Sequence, residues 1–276
     1  MKALIPAAGY GTRFFPATKC VPKELLPVGN KPAIQWIVEE AVEAGAEEVV
    51  IVTSPEKQIL RDYFSESALW HTRLAKKEEA MRELTHIEEL SRKIRFVDQL
   101  EQRGLGHAVL QAAPLLRDEK EPILILLGDA LVGGHPSASA EMAALSLRCA
   151  NASVVGLELV PEEKVSRYGI IAGVPSAEDG RTFGITDIVE KPKREEAPSN
   201  LAVAGRYLLS PRVFELLETQ EPGVGGEIQL TDAIQKLLGF EPVYGYLYPG
   251  KRFDIGNPQG YLTCLQEFGM GSGLSS

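Results

Sequence analysis

Lys2-Ala-Leu-Ile-Pro-Ala-Ala-Gly9-Tyr-Gly11-Thr-Arg13, continuing through Pro22-Lys23-Glu24-Leu-Leu-Pro27, is the stretch from which the rest of the chain can be read. Leu4 and Ile5 read as the end of a short buried strand. The chain then turns through two small residues and two glycines, and a basic residue follows at once. Small residues let backbone come close to a ligand, and glycine permits positive φ. Backbone N–H groups in such a turn form an anion cradle, and Arg13 and Lys23 add positive charge beside it. A phosphate-handling loop is the expectation. Two other phosphate loops are excluded by spelling. A dinucleotide fingerprint needs a third glycine where Phe14 stands, and a P-loop needs Gly-Lys-Ser or Gly-Lys-Thr where the chain has Gly11-Thr12-Arg13. Alone, a G-x-G turn is most often only a turn, so its weight depends on what surrounds it.

The surrounding pattern alternates. Residues 2–6 and 48–53 are continuous apolar runs, and between them residues 32–44 carry a helical stripe of Ile34, Ile37, Val38, Ala41 and Val42, stopped by Gly45. A charged helical excursion occupies 56–93, followed by a strand at 94–97. Gly104-Leu-Gly106 opens a helix over 107–116, and the buried strand 122–127 runs into Gly128-Asp129-Ala130. Beyond a helix at 137–149, strands come more densely, at 153–160, 168–174, 183–191 and 201–209. Helices at 211–219 and about 227–238, a strand at 243–248 and a helix at 258–268 complete the pattern. A small polar tail from Gly269 to Ser276 is expected to fray. Alternation predicts an α/β fold with a mixed, mostly parallel central sheet and helices on both faces. Ligands in such sheets sit beyond the carboxyl ends of strands. The G-x-G turn, the Gly104 turn and Asp129 all fall there.

Composition limits the function. The 276 residues suffice for a large core, and a net charge of −9 disfavours nucleic acid and membrane surfaces as partners. Cys20, Cys149 and Cys264 are isolated and odd in number, which fits neither a disulfide framework nor a zinc site, and a cytoplasmic location is expected. No apolar run approaches the roughly 18 residues of a spanning helix.

Five further residues carry candidate chemistry. Asp129, after a run of bulky apolar residues, is either a helix cap or a ligand for a hard cation. Asp254, in Arg252-Phe-Asp-Ile-Gly256, offers the same choice with an N-cap near Pro258. Glu190 and Lys191 end a strand at Pro192, and would face one pocket only if the chain turns there. Glu227, in Gly225-Gly-Glu-Ile-Gln-Leu-Thr231-Asp232, reads as a carboxylate at a helix start, with a sugar contact as the sharper alternative.

Taken in order, Ala7-Ala-Gly-Tyr-Gly-Thr-Arg13, Pro16-Ala-Thr-Lys19, Pro22-Lys-Glu-Leu-Leu-Pro27, Gly104-Leu-Gly-His-Ala108, Val189-Glu-Lys-Pro192, Pro198-Ser-Asn-Leu-Ala202, Gly205-Arg-Tyr207 and Glu227-Ile-Gln-Leu-Thr-Asp232 resemble the sugar nucleotidyltransferases. Within them the likeness is to the bacterial UTP–glucose-1-phosphate uridylyltransferases. It runs from residue 2 to about 268. The resemblance implies a single Rossmann-like nucleotidyltransferase domain with a nucleotide-binding half (about 1–130) and a sugar-binding half (about 131–268). It implies uridylyl transfer from UTP to glucose 1-phosphate with Mg²⁺, in a homo-oligomer, dimer or tetramer; thymidylyl transfer from dTTP is the nearest alternative, and a non-catalytic nucleotide-sugar-binding protein the next. By the same resemblance, Ala7, Ala8 and Gly9 contact the nucleoside, Gly11, Thr12 and Arg13 hold the triphosphate, and Lys23 neutralises the α-phosphate. Gln99 and Gly104 read the uracil edge. Asp129 and Asp254 ligate the metal, while Gly169, Glu190 and Glu227 hold the glucose hydroxyls and Lys191 the sugar phosphate.

Overall fold

The computed structural model describes residues 1–176 and 179–271. The first strand, β1 (Lys2–Pro6), is followed by three short 3-10 turns and a small hairpin of β2 (Pro27–Val28) and β3 (Lys31–Pro32). Next come α1 (Ala33–Glu43), β4 (Glu48–Thr53) and an excursion of α2 (Gln58–Tyr63), α3 (Ala68–Leu74) and α4 (Glu78–Ser91). The chain continues through β5 (Ile94–Asp98), α5 (Leu105–Gln111), α6 (Ala113–Leu116), β6 (Ile123–Leu126), β7 (Ala130–Val132) and α7 (Ala138–Arg148). Then follow β8 (Ser153–Leu159), β9 (Gly169–Pro175), β10 (Thr182–Glu190), β11 (Leu201–Leu209) and α8 (Arg212–Glu218). The last elements are α9 (Leu230–Leu237), β12 (Val243–Leu247), β13 (Arg252–Asp254) and α10 (Pro258–Gly271). Residues 272–276 of the tail expected to fray lie outside the described residues.

Among the described residues, the main sheet has nine strands in the order β5-β4-β1-β6-β11-β8-β12-β10-β9. β1 pairs in parallel with both β4 and β6, β4 with β5, and β12 with β8. β10 and β11 run against their neighbours, which makes the sheet mixed with most strands pointing one way. The two-residue period of a strand sends alternate side chains to opposite faces, and two cores result. Ala3, Ile5, Val49, Ile51, Leu124 and Leu126 pack with α1 and α7. Leu4, Val50, Val52, Ile123 and Ile125 pack with α5, α8 and α9 on the other face. Burial on both faces is why these strands read as unbroken apolar runs.

From β1 the chain moves outward to β4 and β5, then returns to place β6 on the other side of β1. The order therefore reverses between β1 and β6, and a crevice opens beyond their carboxyl ends. The two loops touch there, with Gly128 N–H donating to the Pro6 carbonyl at 3.2 Å. A Cβ on Gly128 would lie 2.7 Å from that oxygen, so only glycine fits.

Beneath the crevice lies a buried ion pair. β11 bulges at Gly205, φ +77°, and the next residue, Arg206, turns into the core with no exposure. Its guanidinium forks onto Glu40 of α1, Nε to Oε1 at 2.9 Å and Nη2 to Oε2 at 2.6 Å. It also donates to the carbonyls of Ala130, at 2.8 Å, and Gly205, at 3.1 Å. One side chain thus ties α1, β11 and the start of β7 together. Breaking a buried pair from one side strands the other charge, at a cost of about 3–5 kcal/mol. Glu40→Ala is expected to lose about that much stability in urea unfolding; an unchanged midpoint would show that Arg206 needs no carboxylate.

Candidate active site

The loop after β1 is held by its carbonyls and left open at its N–H groups. Ala7 N–H donates to the Val52 carbonyl at 2.7 Å, ending the ladder with β4. Lys57 Nζ donates to the Ala7 carbonyl at 2.7 Å, and Gln102 Nε2 to the Ala8 carbonyl at 3.3 Å. Thr18 Oγ1 donates to the Gly11 carbonyl at 3.0 Å. Among the described residues, nothing accepts from the N–H groups of residues 8–13. Gly11 sits at φ +66°, and Gly9 has nothing within 4 Å of where a Cβ would be. Ala7 and Ala8 are buried, while Thr12 and Arg13 stand exposed at the rim. The result is a row of uncommitted donors facing an open space, with a guanidinium beside it.

Lys57 is itself buried, and so is its partner Glu24, which accepts from Nζ at 2.9 and 3.0 Å. Burial pushes the Glu24 carboxyl up and the Lys57 ammonium down, and each is opposed by the other's charge. The pair therefore acts as an internal post under the loop. Neither residue stood out in the sequence, because the contact between Lys57 and Ala7 spans 50 positions.

Asp129 and Asp254 meet through a small sheet that the sequence pattern did not show. β7 and β13 pair antiparallel with Ala130 opposite Asp254, and Ile255 N–H donates to the Asp129 carbonyl at 2.9 Å. A Cβ on Gly256 would meet Asp129 Oδ2 at 2.7 Å and Asp254 Oδ1 at 3.1 Å, so both carboxylates converge on the ground that glycine leaves free. Neither caps a helix. Ser137 accepts from Ala140 N–H at 3.3 Å at the start of α7, and Asn257 from Gly260 N–H at 2.9 Å in the first turn of α10. Lys23 Nζ lies 2.6 Å from Asp129 Oδ2. Burial opposes the charge on Asp129, but the Lys23 ammonium, backed by Arg252 and Arg13, outweighs it and holds the carboxyl below its ordinary range. Two carboxylates with neither histidine nor cysteine suit a hard divalent cation that completes its shell from substrate oxygens. The Lys23 ammonium already shows that a cation is stabilised there. Arg252, two residues before Asp254 on β13, is mostly buried and donates from Nε to Glu158 at 2.5 Å.

Glu190, Lys191 and Gly169 form a second group with Thr231. β10 ends at Glu190, and Lys191 takes φ +46°, so the chain does turn and brings Lys191 Nζ to 3.1 Å from Glu190 Oε1. Glu190 Oε2 accepts from Thr231 Oγ1 at 2.7 Å, and a Cβ on Gly169 would lie 3.1 Å from that hydroxyl oxygen. Thr231 is thus a member of the cluster that sequence reasoning left unassigned. Tyr207 joins this cluster to the carboxylates. Burial, then the charges of Glu190 and Asp129, push its hydroxyl above its ordinary range.

Glu227 corrects one expectation. Gly225 and Gly226 take positive φ, and Glu227 is extended at φ −103° and ψ 151°, so α9 begins only at Leu230 and Glu227 does not start a helix. Its segment packs instead against the turn at Gly104. Ile228 N–H donates to the Arg103 carbonyl, and Gly106 N–H to the Ile228 carbonyl, each at 2.8 Å. Gln99 is buried at the end of β5, its N–H bound to the Thr53 carbonyl at 2.7 Å and its Nε2 lying 2.9 Å from His107 Nδ1.

The nucleotidyl transferase family profile matches residues 2–269. The chain belongs to the nucleotidyl transferase family. Its branch is that of the UTP–glucose-1-phosphate uridylyltransferases. The Bacillus subtilis (strain 168) protein of that name is 44% identical over 271 residues, covering 98% of this chain and 91% of its own. A UDP-glucose pyrophosphorylase solved with UDP-glucose superposes at a TM-score of 0.86, with 42% identity and 97% of each chain covered. A UTP-bound relative from Acinetobacter baumannii is 36% identical at a TM-score of 0.85, over 99% of this chain and 94% of that one. The nucleotidyltransferase fold read from the sequence is the one observed. Among the described residues, no helix is long and apolar enough to cross a membrane.

A side chain at Gly104 would strain this site directly. Its φ is +102°, and a Cβ would come to 2.7 Å from Glu227 Cβ and 2.9 Å from the Ile228 carbonyl. Gly104→Ala is expected to destabilise the fold by roughly 1–3 kcal/mol, read in urea unfolding. An unshifted midpoint would mean that the two turns do not press on one another.

Proposed function

We propose that this chain transfers the uridylyl group of UTP to α-D-glucose 1-phosphate, releasing pyrophosphate and forming UDP-glucose. The observation that carries this reading is the row of free N–H groups over residues 8–13, taken together with two converging carboxylates and the Glu190–Lys191 pair. In the reaction a phosphate oxygen of glucose 1-phosphate attacks the α-phosphorus of UTP. The bond from that phosphorus to the bridging oxygen of the leaving pyrophosphate breaks in line. Most of the rate comes from alignment and from neutralising charge.

Each residue then has a part. The N–H groups after β1 hold the triphosphate, and Arg13 at the rim meets the departing pyrophosphate. Lys23 neutralises the α-phosphate. Gln99 and Gly104 meet the base. Glu190, Glu227 and the open ground over Gly169 receive glucose hydroxyls, and Lys191 holds the sugar phosphate. Asp129 and Asp254 would hold Mg²⁺, which would supply positive charge against the phosphates. On this reading the nucleotide half is about 1–130 and the sugar half about 131–268. A homo-oligomer in the cytoplasm remains the expected setting. Uridylyl rather than thymidylyl transfer is favoured by the branch to which the relatives belong.

Pyrophosphate release from purified protein with Mg²⁺, glucose 1-phosphate and each of UTP, dTTP, CTP and ATP tests the reading. UTP is expected to be strongly preferred, and no release with any of the four would overturn it. Asp129→Asn is expected to lower kcat by about a hundredfold or more while far-UV circular dichroism stays unchanged; near-normal turnover would remove Asp129 from the metal site. Lys191→Ala is expected to raise the KM for glucose 1-phosphate about tenfold and that for UTP little. Equal rises in both would take Lys191 off the sugar phosphate.

A further inference from the structure

Arg252 lies two residues before Asp254, yet the proposed reaction gives it no part. β13 pairs with β7 so that Arg252 stands opposite Val132 and Asp254 opposite Ala130. Alternation along the strand puts Arg252 and Asp254 on one side and sends Phe253 into the core. The Arg252 guanidinium lies over the Tyr168 ring, 5.1 Å from its centroid, and its Nε donates to Glu158 Oε1 at 2.5 Å. Tyr168 belongs to the second group, since it precedes Gly169 and its carbonyl accepts from Lys191 N–H at 3.0 Å. Arg252 is thus tied to the carboxylates by its strand and to the Glu190–Lys191 turn by the ring it covers.

Of its three nitrogens, Nε alone is spent. Among the described residues neither Nη1 nor Nη2 has an acceptor, although the side chain is only 11% exposed. Neither is among the fully buried atoms that lack a partner, so both reach open space. A guanidinium held at Nε and free at its end presents two parallel donors, the arrangement that grips a phosphate. Burial opposes its charge, but Glu158, with Tyr168 and Tyr248 behind it, keeps the guanidinium protonated. That charge is felt at the Asp129 carboxyl and at the Tyr207 hydroxyl, which joins the two groups.

We propose that Arg252 grips the phosphate of glucose 1-phosphate end-on through Nη1 and Nη2, as a second cation beside Lys191. This rests on the reading that Lys191 holds that phosphate, and it deepens it. A phosphate monoester carries a charge of roughly −1.5 to −2 at neutral pH. Lys191 answers it only in part, because its Nζ is already 3.1 Å from Glu190 Oε1 and its side chain is 42% exposed. The attacking oxygen must also be aimed at the α-phosphorus. An ammonium is a point charge with little directional hold, whereas a planar fork fixes the orientation of the phosphate it binds. Glu158 has the complementary duty of a positioning residue: by holding Nε it sets the plane of the fork.

The test takes Glu158→Gln as its reference, because Arg252→Met alone would strand the mostly buried Glu158 carboxylate. Relative to Glu158→Gln, the double variant E158Q/R252M is expected to raise the KM for glucose 1-phosphate about tenfold or more and to leave that for UTP nearly unchanged. No rise for glucose 1-phosphate, or an equal rise for UTP, would overturn the proposal. A crystal structure of the wild-type protein with glucose 1-phosphate needs no variant and stands even if the double variant does not fold. Phosphate oxygens are expected within hydrogen-bond distance of both Nη1 and Nη2. A phosphate on Lys191 but clear of Arg252 would end the role of Arg252 and leave the sugar-phosphate site standing. A phosphate clear of both would remove Lys191 from that site as well.

Discussion

The structure depends on keeping one short run of backbone N–H groups unpaired without letting the loop that carries them collapse. A loop with free donors ordinarily folds onto its own carbonyls or onto water. Here three of the loop's carbonyls are claimed by side chains from outside it. Lys57, Gln102 and Thr18 each claim one, and Val52 receives the last ladder bond before the turn. What remains are donors facing outward. The buried Lys57–Glu24 pair carries a desolvation cost that an apolar post would not, but the Lys57 ammonium takes the Ala7 carbonyl while also answering the Glu24 carboxylate. The pair is therefore better understood as fixing the loop than as adding stability.

The same economy of position governs the carboxylates. Asp129 leaves β6 at the switch point, and Asp254 is delivered more than a hundred residues later by a three-residue strand. Two like charges brought together repel, and the Lys23 ammonium at 2.6 Å from Asp129 offsets that repulsion. Arg206 reinforces the arrangement from below, because the Ala130 carbonyl it holds belongs to the residue next to Asp129. A long-range polar network thus fixes a site that hydrophobic packing alone would leave adjustable.

How much of this the sequence disclosed follows from how local each signal is. The buried strands were legible as apolar runs, and the loop after β1 was legible because strand, small residues, glycines and basic residue are adjacent. Asp129 showed for the same reason, as a carboxylate ending an apolar strand. β7 and β13 did not, because strands of three residues have no period to read. The Glu40–Arg206 pair is 166 positions apart and Thr231 lies 41 from Glu190, so neither leaves a local trace. The helix expected at about 227 failed for a conformational reason: two successive glycines at positive φ hold Glu227 extended, and its backbone pairs with another loop.

That pairing joins the two ends of the proposed reaction. In that reading the turn at Gly104 serves the base and the segment at Glu227 the sugar, yet the two share hydrogen bonds of 2.8 Å, and a Cβ on Gly104 would lie 2.7 Å from that of Glu227. A shift in either backbone must move the other, because neither has slack: Gly104 is already at a φ that only glycine tolerates. Close packing with no void to absorb displacement is what makes such contacts transmit rather than yield. The glycines of these two motifs, easily taken for flexible points, are here the places where two rigid loops are pressed together.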